Sequence, residues 1–351
     1  KRITTESIVI ASGARPFIPP VPGLDGIDYL TSDTVWSLTE LPPRLLVVGG
    51  GPIGCELAQA FSRLGSKVTQ VDMAARIMPR EDEDVSAAVS ARFAAQGIEV
   101  LTGHRLLKFE TVDGEHFMEA EHQGETVRVA FDRVLLAIGR KANTEGFGLE
   151  EIGVALTPQG TVEVNEYLQT NLPNVFACGD VAGPYQFTHM ASYQAWFAAL
   201  NAIAGGFWRS RVNYSVVPWA TFTDPEVARV GLSEDEAKQR GIAYEVTRYD
   251  MDHHDRSLAD GEAHGFVKIL TVPGKDKMLG VTIVGYHAGE QIAEFVFAMT
   301  HNMGLKSISA VTHIYPTLGE ANKFAANAWR SARLPTQYFP WLKRFFDWRR
   351  G

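Results

Sequence analysis

The chain has 351 residues, of which 45% are hydrophobic and 21% charged, which is typical of globular proteins with two or three domains and excludes an intrinsically disordered chain. Its formal net charge of -8 argues against a nucleic-acid-binding protein, because such proteins use a basic surface. No apolar run approaches the roughly 20 residues that span a bilayer, and the N-terminus lacks the apolar core of a signal peptide, so a cytoplasmic location is expected.

The first predicted element is a buried strand at residues 8–11, Ile-Val-Ile-Ala. No earlier element in the chain could pair with it, so we expect this strand to belong to a sheet that begins in preceding sequence. Residues 16–23 then form a stiff, proline-rich connector, which is consistent with a crossing between domains.

A strand–turn–helix–strand unit comes next. Its parts are the apolar strand 45–48, the turn 49–54 (Gly-Gly-Gly-Pro-Ile-Gly), the helix 55–64 and the strand 67–71. Asp72 stands at the end of the second strand. A glycine-rich turn between a strand and a helix, with an acid about 20 residues further on, predicts a dinucleotide-binding site.

Each residue type in this turn has a physical role. Gly49 permits the tight turn, Gly51 lets a pyrophosphate approach bare backbone, and Gly54 allows the helix to pack on the strand. Ile53 lies in the same turn, where the free N–H groups of the helix N-terminus hold phosphates.

The acid predicts which dinucleotide binds. Asp72 can accept hydrogen bonds from the ribose diol of NAD(H) and would repel the 2′-phosphate of NADP(H). NAD(H) is therefore favoured, although Arg76 and Arg80 nearby keep NADP(H) open.

The rest of the first half continues the α/β pattern. A helix is predicted at 83–96, a strand at 98–101, a polar hairpin-like stretch up to residue 130 and a buried strand at 134–138 that ends at Gly139. This ending repeats the pattern of residues 9–13, which suggests two related dinucleotide domains, the first represented only by its end.

A short strand then leads to Gly179 and Asp180. An acid at the carboxyl end of a sheet strand can bind a ribityl or ribose hydroxyl. The alternative is that Asp180 caps the next helix.

Four motifs occur in the order found in the FAD-dependent pyridine nucleotide-disulfide oxidoreductases, and the chain resembles that family. They are residues 11–16 (ASGARP), 49–56 (GGGPIGCE), 137–140 (AIGR) and 177–180 (ACGD). Residues 218–231 resemble the start of the family's dimerisation domain, and residues 313–320 (HIYPTLGE) resemble its active-site motif. Within the family, the chain resembles mercuric reductase-like and dihydrolipoamide dehydrogenase-like members.

The resemblance implies an α/β fold with a Rossmann-like NAD(P)-binding domain inserted in a partial FAD-binding domain, followed by an α+β dimerisation domain that forms a homodimer. The implied boundaries are residues 1–40 and 144–210 for the FAD-binding domain, 41–143 for the NAD(P)-binding domain, 211–335 for the dimerisation domain and 336–351 for an aromatic and basic tail.

The resemblance also implies cofactor contacts. The residues implied for FAD are Ser12, Gly13, Ala14, Gly179, Asp180, His189 and Met190. A helix from about residue 189 to 203 would point its N-terminus at the flavin. Gly139 and Glu56 would lie near the nicotinamide, with the alternative that Glu56 is a first-turn glutamate complementing the helix dipole.

The implied function is a flavin-dependent oxidoreductase that passes hydride from NAD(P)H through FAD to a small-molecule or disulfide acceptor. The alternatives are a soluble transhydrogenase-like flavoprotein and a non-catalytic fragment that binds NAD and dimerises.

The sequence departs from the family at its start. It lacks the family's FAD-binding glycine loop and redox-active Cys-x-x-x-x-Cys pair. The only two cysteines, Cys55 and Cys178, are predicted to be small buried side chains and cannot replace that pair. The chain is either a fragment of a longer flavoprotein or a natural variant, and the unpaired first strand favours a fragment.

A second departure lies in the active-site motif. Tyr315 occupies the position of the histidine that serves as acid–base group in lipoamide and glutathione reductases, while Glu320 keeps the orienting position. A phenol with a pKa near 10 is a poor base at neutral pH but can donate a hydrogen bond. His313 is a candidate substitute base, with a structural histidine as the alternative.

Strands are predicted at 266–270 and 278–284, and an amphipathic helix stripe at Ile292, Phe295, Val296 and Met299. Together with residues 219–222 they indicate an antiparallel sheet with helices, and the stripe is predicted to be core rather than a cofactor site.

A stretch that contains histidines offers a candidate metal site. The histidines of residues 252–255 (Asp-His-His-Asp) and His264 lack ligand spacing, so a solvent-facing loop and no metal site are predicted.

The tail interleaves aromatic and basic side chains. The residues concerned are Tyr338, Phe339, Trp341, Leu342, Phe345, Phe346 and Trp348 with Lys343, Arg344, Arg349 and Arg350. On a helix the apolar ones share a face with flanking cations, which predicts either peripheral membrane contact or burial against its own domain or a dimer partner.

Overall fold

The computed structural model describes residues 3–204, 207–334, 337 and 339–351. Tyr338, which the sequence assigns to the aromatic tail, lies outside these residues. The chain divides into two compact units. The first contains Lys1–Arg80 and Ser90–Tyr214, and the second contains Glu81–Val89 and Ser215–Gly351.

Twelve strands and three α-helices are described up to residue 204. They are β1 (Ile8–Ile10), β2 (Ala14–Pro16), β3 (Tyr29–Thr31), β4 (Arg44–Val48), α1 (Pro52–Leu64), β5 (Lys67–Val71), α2 (Glu83–Ala95), β6 (Glu99–Leu101), β7 (Arg105–Val112), β8 (Glu115–His122), β9 (Glu125–Phe131), β10 (Arg133–Leu136), β11 (Arg140–Ala142), β12 (Val175–Ala177) and α3 (Thr188–Ala204).

A five-stranded parallel sheet with the order β3-β10-β4-β5-β6 forms the centre of the first unit. Leu46 and Val134 pair across β4 and β10 and are fully buried, because both faces of such a sheet are covered. The predicted Rossmann-like unit is confirmed. The polar stretch after it forms a separate three-stranded antiparallel sheet, β7-β8-β9.

The first strand pairs with a strand that comes much later in the chain, so it is not unpaired, while its place in a sheet that begins in preceding sequence stays a prediction. β1 pairs in parallel with β12, with Ile8 opposite Val175 and Ile10 opposite Ala177. The partner lies more than 160 residues further along the chain, and a strand run carries no signal of which distant strand it will join.

The second unit is an antiparallel sheet with helices, as predicted. Its elements are β13 (Pro218–Thr221), β14 (Glu226–Gly231), α4 (Glu234–Gln239), β15 (Glu245–Asp250), α5 (Asp255–Asp260), β16 (Phe266–Thr271), β17 (Met278–Gly285), α6 (Ala288–Gln291), α7 (Ala293–Thr300), α8 (Leu305–Ala310), α9 (Glu320–Ser331) and α10 (Phe339–Arg350). The strand order is β13-β14-β17-β16-β15.

One face of this sheet is apolar. Val267 and Ile283 pack with Ile292, Phe295 and Trp329 in the core of the unit. The helical stripe at residues 292–299 is therefore core, as the sequence indicates, and does not line a cofactor site.

The opposite face carries two buried cations. Arg229 on β14 and Lys268 on β16 both pair with Thr282 of β17, so they flank one residue and project to the same side. Their side chains are 1% and 2% exposed.

Carboxylates surround both cations. Lys268 Nζ lies 2.7 Å from Asp82, 2.6 Å from Asp84 and 3.2 Å from Glu234. Although burial raises the pKa of Asp82, the hydrogen bonds from Lys268 and from two backbone N–H groups outweigh it and lower that pKa overall.

Arg229 is held in the same way. It contacts Glu81 at 2.9 Å and Glu236 at 2.8 Å, and its guanidinium lies 4.2 Å from the ring centroid of Trp219. Within the second unit, ion pairs thus connect the segment Glu81–Val89 to strands β14 and β16.

The tail helix α10 has no buried residue. Trp341 and Trp348 are 65% and 77% exposed, and both rings contact Phe345, which confirms that they share one face. Among the described residues, none of the helices combines the length and apolar character that crossing a membrane requires.

Replacing Lys268 with Ala should lower the free energy of unfolding by about 3–5 kcal/mol, because it leaves buried carboxylates without a counter-charge. Guanidinium denaturation followed by circular dichroism measures this change. Lys306→Ala, at an exposed helical lysine, is the control and should stay within about 0.5 kcal/mol of the unaltered chain. A loss below about 1 kcal/mol for Lys268→Ala would contradict the role assigned to the network.

Candidate functional site

The glycine-rich turn joins β4 to α1 and depends on close backbone contacts. Gly49 has φ 121°, and a Cβ there would lie 2.3 Å from the carbonyl oxygen of Ala137. A Cβ at Gly54 would lie 2.1 Å from the carbonyl oxygen of Gly49. Both positions require glycine, because any side chain would collide with backbone.

Gly51 differs from these two glycines. A Cβ there would meet nothing within 4 Å, so the absence of a side chain leaves open space in front of the backbone. Gly51 is also the N-cap of α1 and has no side-chain cap, and Pro52 follows at the first helical position. Ile53, half-buried, lies in the same first turn. An uncapped helix N-terminus beside open space fits a phosphate group.

Asp72 is bonded to this turn. One carboxylate oxygen accepts a hydrogen bond from the Gly50 N–H, and the other accepts one from Ala74 N–H at 2.6 Å. Each carboxylate oxygen has a second lone pair, so Asp72 can still accept from a ribose hydroxyl. The residues present therefore fit an NAD-type dinucleotide.

Glu56 is the fifth residue of α1, and the first turn of that helix contains no acid. The alternative explanation, that it is a first-turn glutamate complementing the dipole, does not hold, because the effect fades beyond the first turn. Gly139 has φ 122° with open space where a Cβ would be.

Residues 12–14, which are predicted to lie beside the flavin, form hydrogen bonds with strand β11 and with the residue that follows it. Ser12 Oγ donates to the Asn143 carbonyl at 2.7 Å, and Asn143 Nδ2 donates to the Ser12 carbonyl at 2.9 Å. Arg140 donates to the Ala14 carbonyl at 2.6 Å. Gly13 has φ 69° and open space at its Cβ position, which leaves this backbone accessible.

Asp180 faces Arg140 at 3.6 Å. Asp180 lies inside a 3-10 turn, Gly179–Val181, whose N-cap is Cys178. The alternative that Asp180 caps the next helix is therefore wrong. Gly179 N–H donates to Gln194 of α3 at 2.7 Å. This bond fixes the turn against the helix.

The helix α3 starts at Thr188, close to the predicted start at residue 189. His189 is exposed near its N-terminus, and Met190 is buried. The described part of this region thus provides an accessible backbone, an acid and a helix N-terminus, which together fit part of an FAD site.

The active-site motif lies between α8 and α9 in the second unit. Tyr315 is largely exposed, and its hydroxyl donates to Asp255 Oδ2 at 3.0 Å. This hydrogen bond and the charge of Asp255 raise the pKa of the Tyr315 phenol. Tyr315 is therefore a hydrogen-bond donor at neutral pH and is not a base.

His313 has a carboxylate partner that the sequence analysis did not identify. Its Nε2 lies 3.1 Å from both carboxylate oxygens of Glu294, which also accepts from Asn322 Nδ2 at 3.0 Å. Glu320 Oε2 instead accepts from the Thr317 N–H at 3.2 Å. Glu294 thus orients the imidazole, while Glu320 holds the backbone of the motif.

The prediction of a solvent-facing loop at residues 252–255 is wrong for two of its members. His254 is buried, and its Nδ1 lies 2.9 Å from Ser257 Oγ. Burial lowers the pKa of His254. Asp255 starts α5 and contacts Tyr315. No local pattern marks the role of Asp255, because its partner Tyr315 lies 60 residues away in sequence.

A cavity of about 260 Å³ lies beside this motif. It is lined by Arg256, Asp260, Glu262, Tyr286, His287 and Leu318.

The two cysteines are free and buried. Burial raises the pKa of Cys55 to about 12 and raises that of Cys178, so neither is a thiolate at neutral pH. The prediction that they are inert buried side chains agrees with this finding.

Comparisons with known proteins agree with this arrangement. Residues 1–195 match the family described as pyridine nucleotide-disulphide oxidoreductase, and residues 217–326 match its dimerisation domain. A mercuric reductase of Staphylococcus aureus is 35% identical over 326 residues, which are 93% of this chain and 59% of that protein. A dihydrolipoyl dehydrogenase of Chlamydia muridarum is 35% identical over 91% of this chain and 67% of that protein.

A solved structure is similar as well. The Cu(II) complex of the HOCl-induced flavoprotein disulfide reductase RclA from Escherichia coli has a TM-score of 0.84 and 27% identity, over 92% of this chain and 72% of that one. Of the Staphylococcus aureus mercuric reductase, this chain spans about three fifths of the length. It belongs to the pyridine nucleotide-disulphide oxidoreductase family, whose members are FAD- and NAD(P)-dependent enzymes.

Proposed function

We propose that this chain is the coenzyme-binding and dimerising part of a flavin-dependent NAD(P)H oxidoreductase. The observation that carries the proposal is the open space in front of Gly51 at the uncapped start of α1. The neighbouring Gly49 and Gly54 have no room for a side chain. When bound, FAD would supply the redox chemistry between NAD(P)H and a small-molecule or disulfide acceptor. The domain boundaries that the sequence predicts are part of this proposal.

The coenzyme is proposed to be NADH rather than NADPH. Asp72 is fixed by two backbone N–H groups, so its negative charge stays where the adenosine ribose of a bound dinucleotide would lie. A 2′-phosphate at this point would meet an immobile like charge. Glu56 is proposed to lie beside the nicotinamide, as the family motif implies.

The acceptor is proposed to react at a site that two subunits share. The chain carries the family's dimerisation domain, and the side chains around the active-site motif are exposed in the single chain. Ile314 and Tyr315 are the most exposed of them. A homodimer would cover these side chains with the neighbouring subunit.

Two residues have distinct proposed roles toward the acceptor. Tyr315 donates a hydrogen bond, because Asp255 keeps its phenol protonated. His313 exchanges the proton, because Glu294 orients its ring.

We also propose that α10 binds the surface of an anionic membrane. Its aromatic residues are exposed along one face, and basic residues lie beside them. Aromatic rings at the headgroup boundary and cations near anionic lipid are typical of interfacial helices. Burial of this face against a dimer partner is the competing arrangement.

Gly51→Ala should weaken NADH binding about tenfold or more, because the added methyl group occupies the space in front of the backbone that the pyrophosphate needs. Its thermal stability should not change, since φ at Gly51 is -77° and the methyl group meets no atom within 4 Å. Fluorescence titration with NADH and with NADPH, alongside thermal unfolding, measures both quantities.

Gly49→Ala is the matched control and should lose stability as well as binding, because its methyl group would lie 2.3 Å from a carbonyl oxygen. Unchanged NADH affinity in Gly51→Ala would contradict the phosphate site. Tighter binding of NADPH than of NADH would contradict the role of Asp72.

In the complete, FAD-loaded protein, Tyr315→Phe should slow reduction of a disulfide probe, lipoamide, about tenfold and leave reduction of the flavin by NADH unchanged. Stopped-flow absorbance separates the two half-reactions. Tyr244→Phe removes a phenol that donates to Glu234 and serves as the control. An equal loss in both half-reactions would mean that Tyr315 has a structural role only.

Co-sedimentation with vesicles of phosphatidylserine and phosphatidylcholine should recover the intact chain in the pellet, because α10 supplies both aromatic rings and cations. A chain ending at Pro335 should remain in the supernatant. Vesicles of phosphatidylcholine alone are the control and should bind less of the intact chain. Equal partitioning of the two chains would exclude the membrane contact.

A further inference from the structure

Three side chains from two separate connections of the second unit converge outside the active-site motif. Asp224 lies between β13 and β14, and Glu262 and His264 lie between α5 and β16. One ligand atom from each of the three residues lies within 4.8 Å of the others. Together they offer one imidazole nitrogen and two carboxylates.

The distances among these atoms match ligands of one ion. His264 Nε2 lies 3.4 Å from Glu262 Oε2 and 3.9 Å from Asp224 Oδ1. Zn²⁺ binds nitrogen and oxygen at about 2.0–2.2 Å in tetrahedral geometry, which places neighbouring ligand atoms about 3.4 Å apart. Asp224 Oδ1 lies within about 0.5 Å of this spacing from His264 Nε2.

Two of the atoms lack any other partner. Glu262 Oε2 and His264 Nε2 are shielded from solvent and form no hydrogen bond with any of the residues that the structure describes. Shielded polar atoms are normally satisfied by a partner. Here the two face each other across a gap that an ion would fill.

The backbone holds two of the ligands in place. Glu262 N–H donates to Ser257 and His264 N–H donates to Glu262, both at 2.8 Å. The next residue, Gly265, has φ 99°, and a Cβ there would lie 2.0 Å from the Val284 carbonyl oxygen. The segment is therefore packed directly against β17, so the ligands need little rearrangement to bind an ion.

We propose that Asp224, Glu262 and His264 bind one Zn²⁺ ion, with a fourth coordination position open to water. A mixed nitrogen and oxygen donor set of three protein ligands is typical of zinc with an open position, whereas Mg²⁺ and Ca²⁺ take oxygen ligands. Although the two ligand atoms are shielded, the side chains of His264 and Glu262 are 35% and 26% exposed, so the site lies close to the surface. Bound zinc links the two connections and stabilises the second unit.

The test is titration of the EDTA-treated, dialysed full chain with ZnCl₂ by calorimetry, together with thermal unfolding. We expect one Zn²⁺ per chain and a melting temperature that rises with zinc concentration, because the ion binds the folded state. Mg²⁺ should produce neither effect. His264→Ala and Glu262→Gln should each weaken zinc binding about 100-fold or more and abolish the rise in melting temperature.

Glu262→Gln keeps the shape of the side chain, and circular dichroism in EDTA checks that both variants are folded. His253→Ala is the matched control, because that side chain is 92% exposed and adjoins another acid. It should bind zinc as the unaltered chain does. The proposal fails if the unaltered chain does not bind zinc at about 100 µM, or if Glu262→Gln binds it with unchanged affinity and stoichiometry.

Discussion

The second unit depends on neutralising two cations inside its sheet. Arg229 and Lys268 flank Thr282 on one face, and carboxylates from two segments surround them: Glu81, Asp82, Asp84, Glu234 and Glu236. Burying an unpaired charge costs more than burying a paired one, so the sheet cannot close unless these acids arrive together. The apolar core on the other face then supports the helices that carry the active-site motif.

A different constraint governs the first unit, where backbone rather than side chains makes the close contacts. The end of β10 approaches Gly49 from one side, and the start of α1 approaches it from the other. Only residues without a Cβ fit at Gly49 and Gly54, while Gly51 faces open space. The same turn therefore both joins the sheet to the helix and leaves the helix N-terminus accessible to a phosphate.

The active-site motif gains its chemistry from residues far away in sequence. Tyr315 donates a hydrogen bond to Asp255, which keeps the phenol as a donor. His313 contacts the carboxylate of Glu294. Glu320, which the family pattern assigns to orienting the catalytic group, bonds instead to the backbone of its own loop. In this chain the carboxylate that contacts the imidazole of His313 is Glu294 on α7.

The features that depend on local geometry could be predicted from the order of the amino acids. The strand–turn–helix unit at residues 44–71, the acid Asp72, the antiparallel sheet with its core stripe and the absence of a usable dithiol all follow from spacing, periodicity and residue type. The family resemblance supplied the order of the domains.

The contacts between residues that are distant in sequence could not be predicted and follow from the folded chain. Folding paired β1 with β12, buried His254 and brought Asp255 to Tyr315. It also placed His264 beside Asp224 and Glu262. Each of these contacts joins elements from separate parts of the chain. Periodicity predicts which face of a segment is buried but not which other segment covers that face. Likewise, the partner of a buried charge is set by the folded sheet and not by the neighbouring sequence.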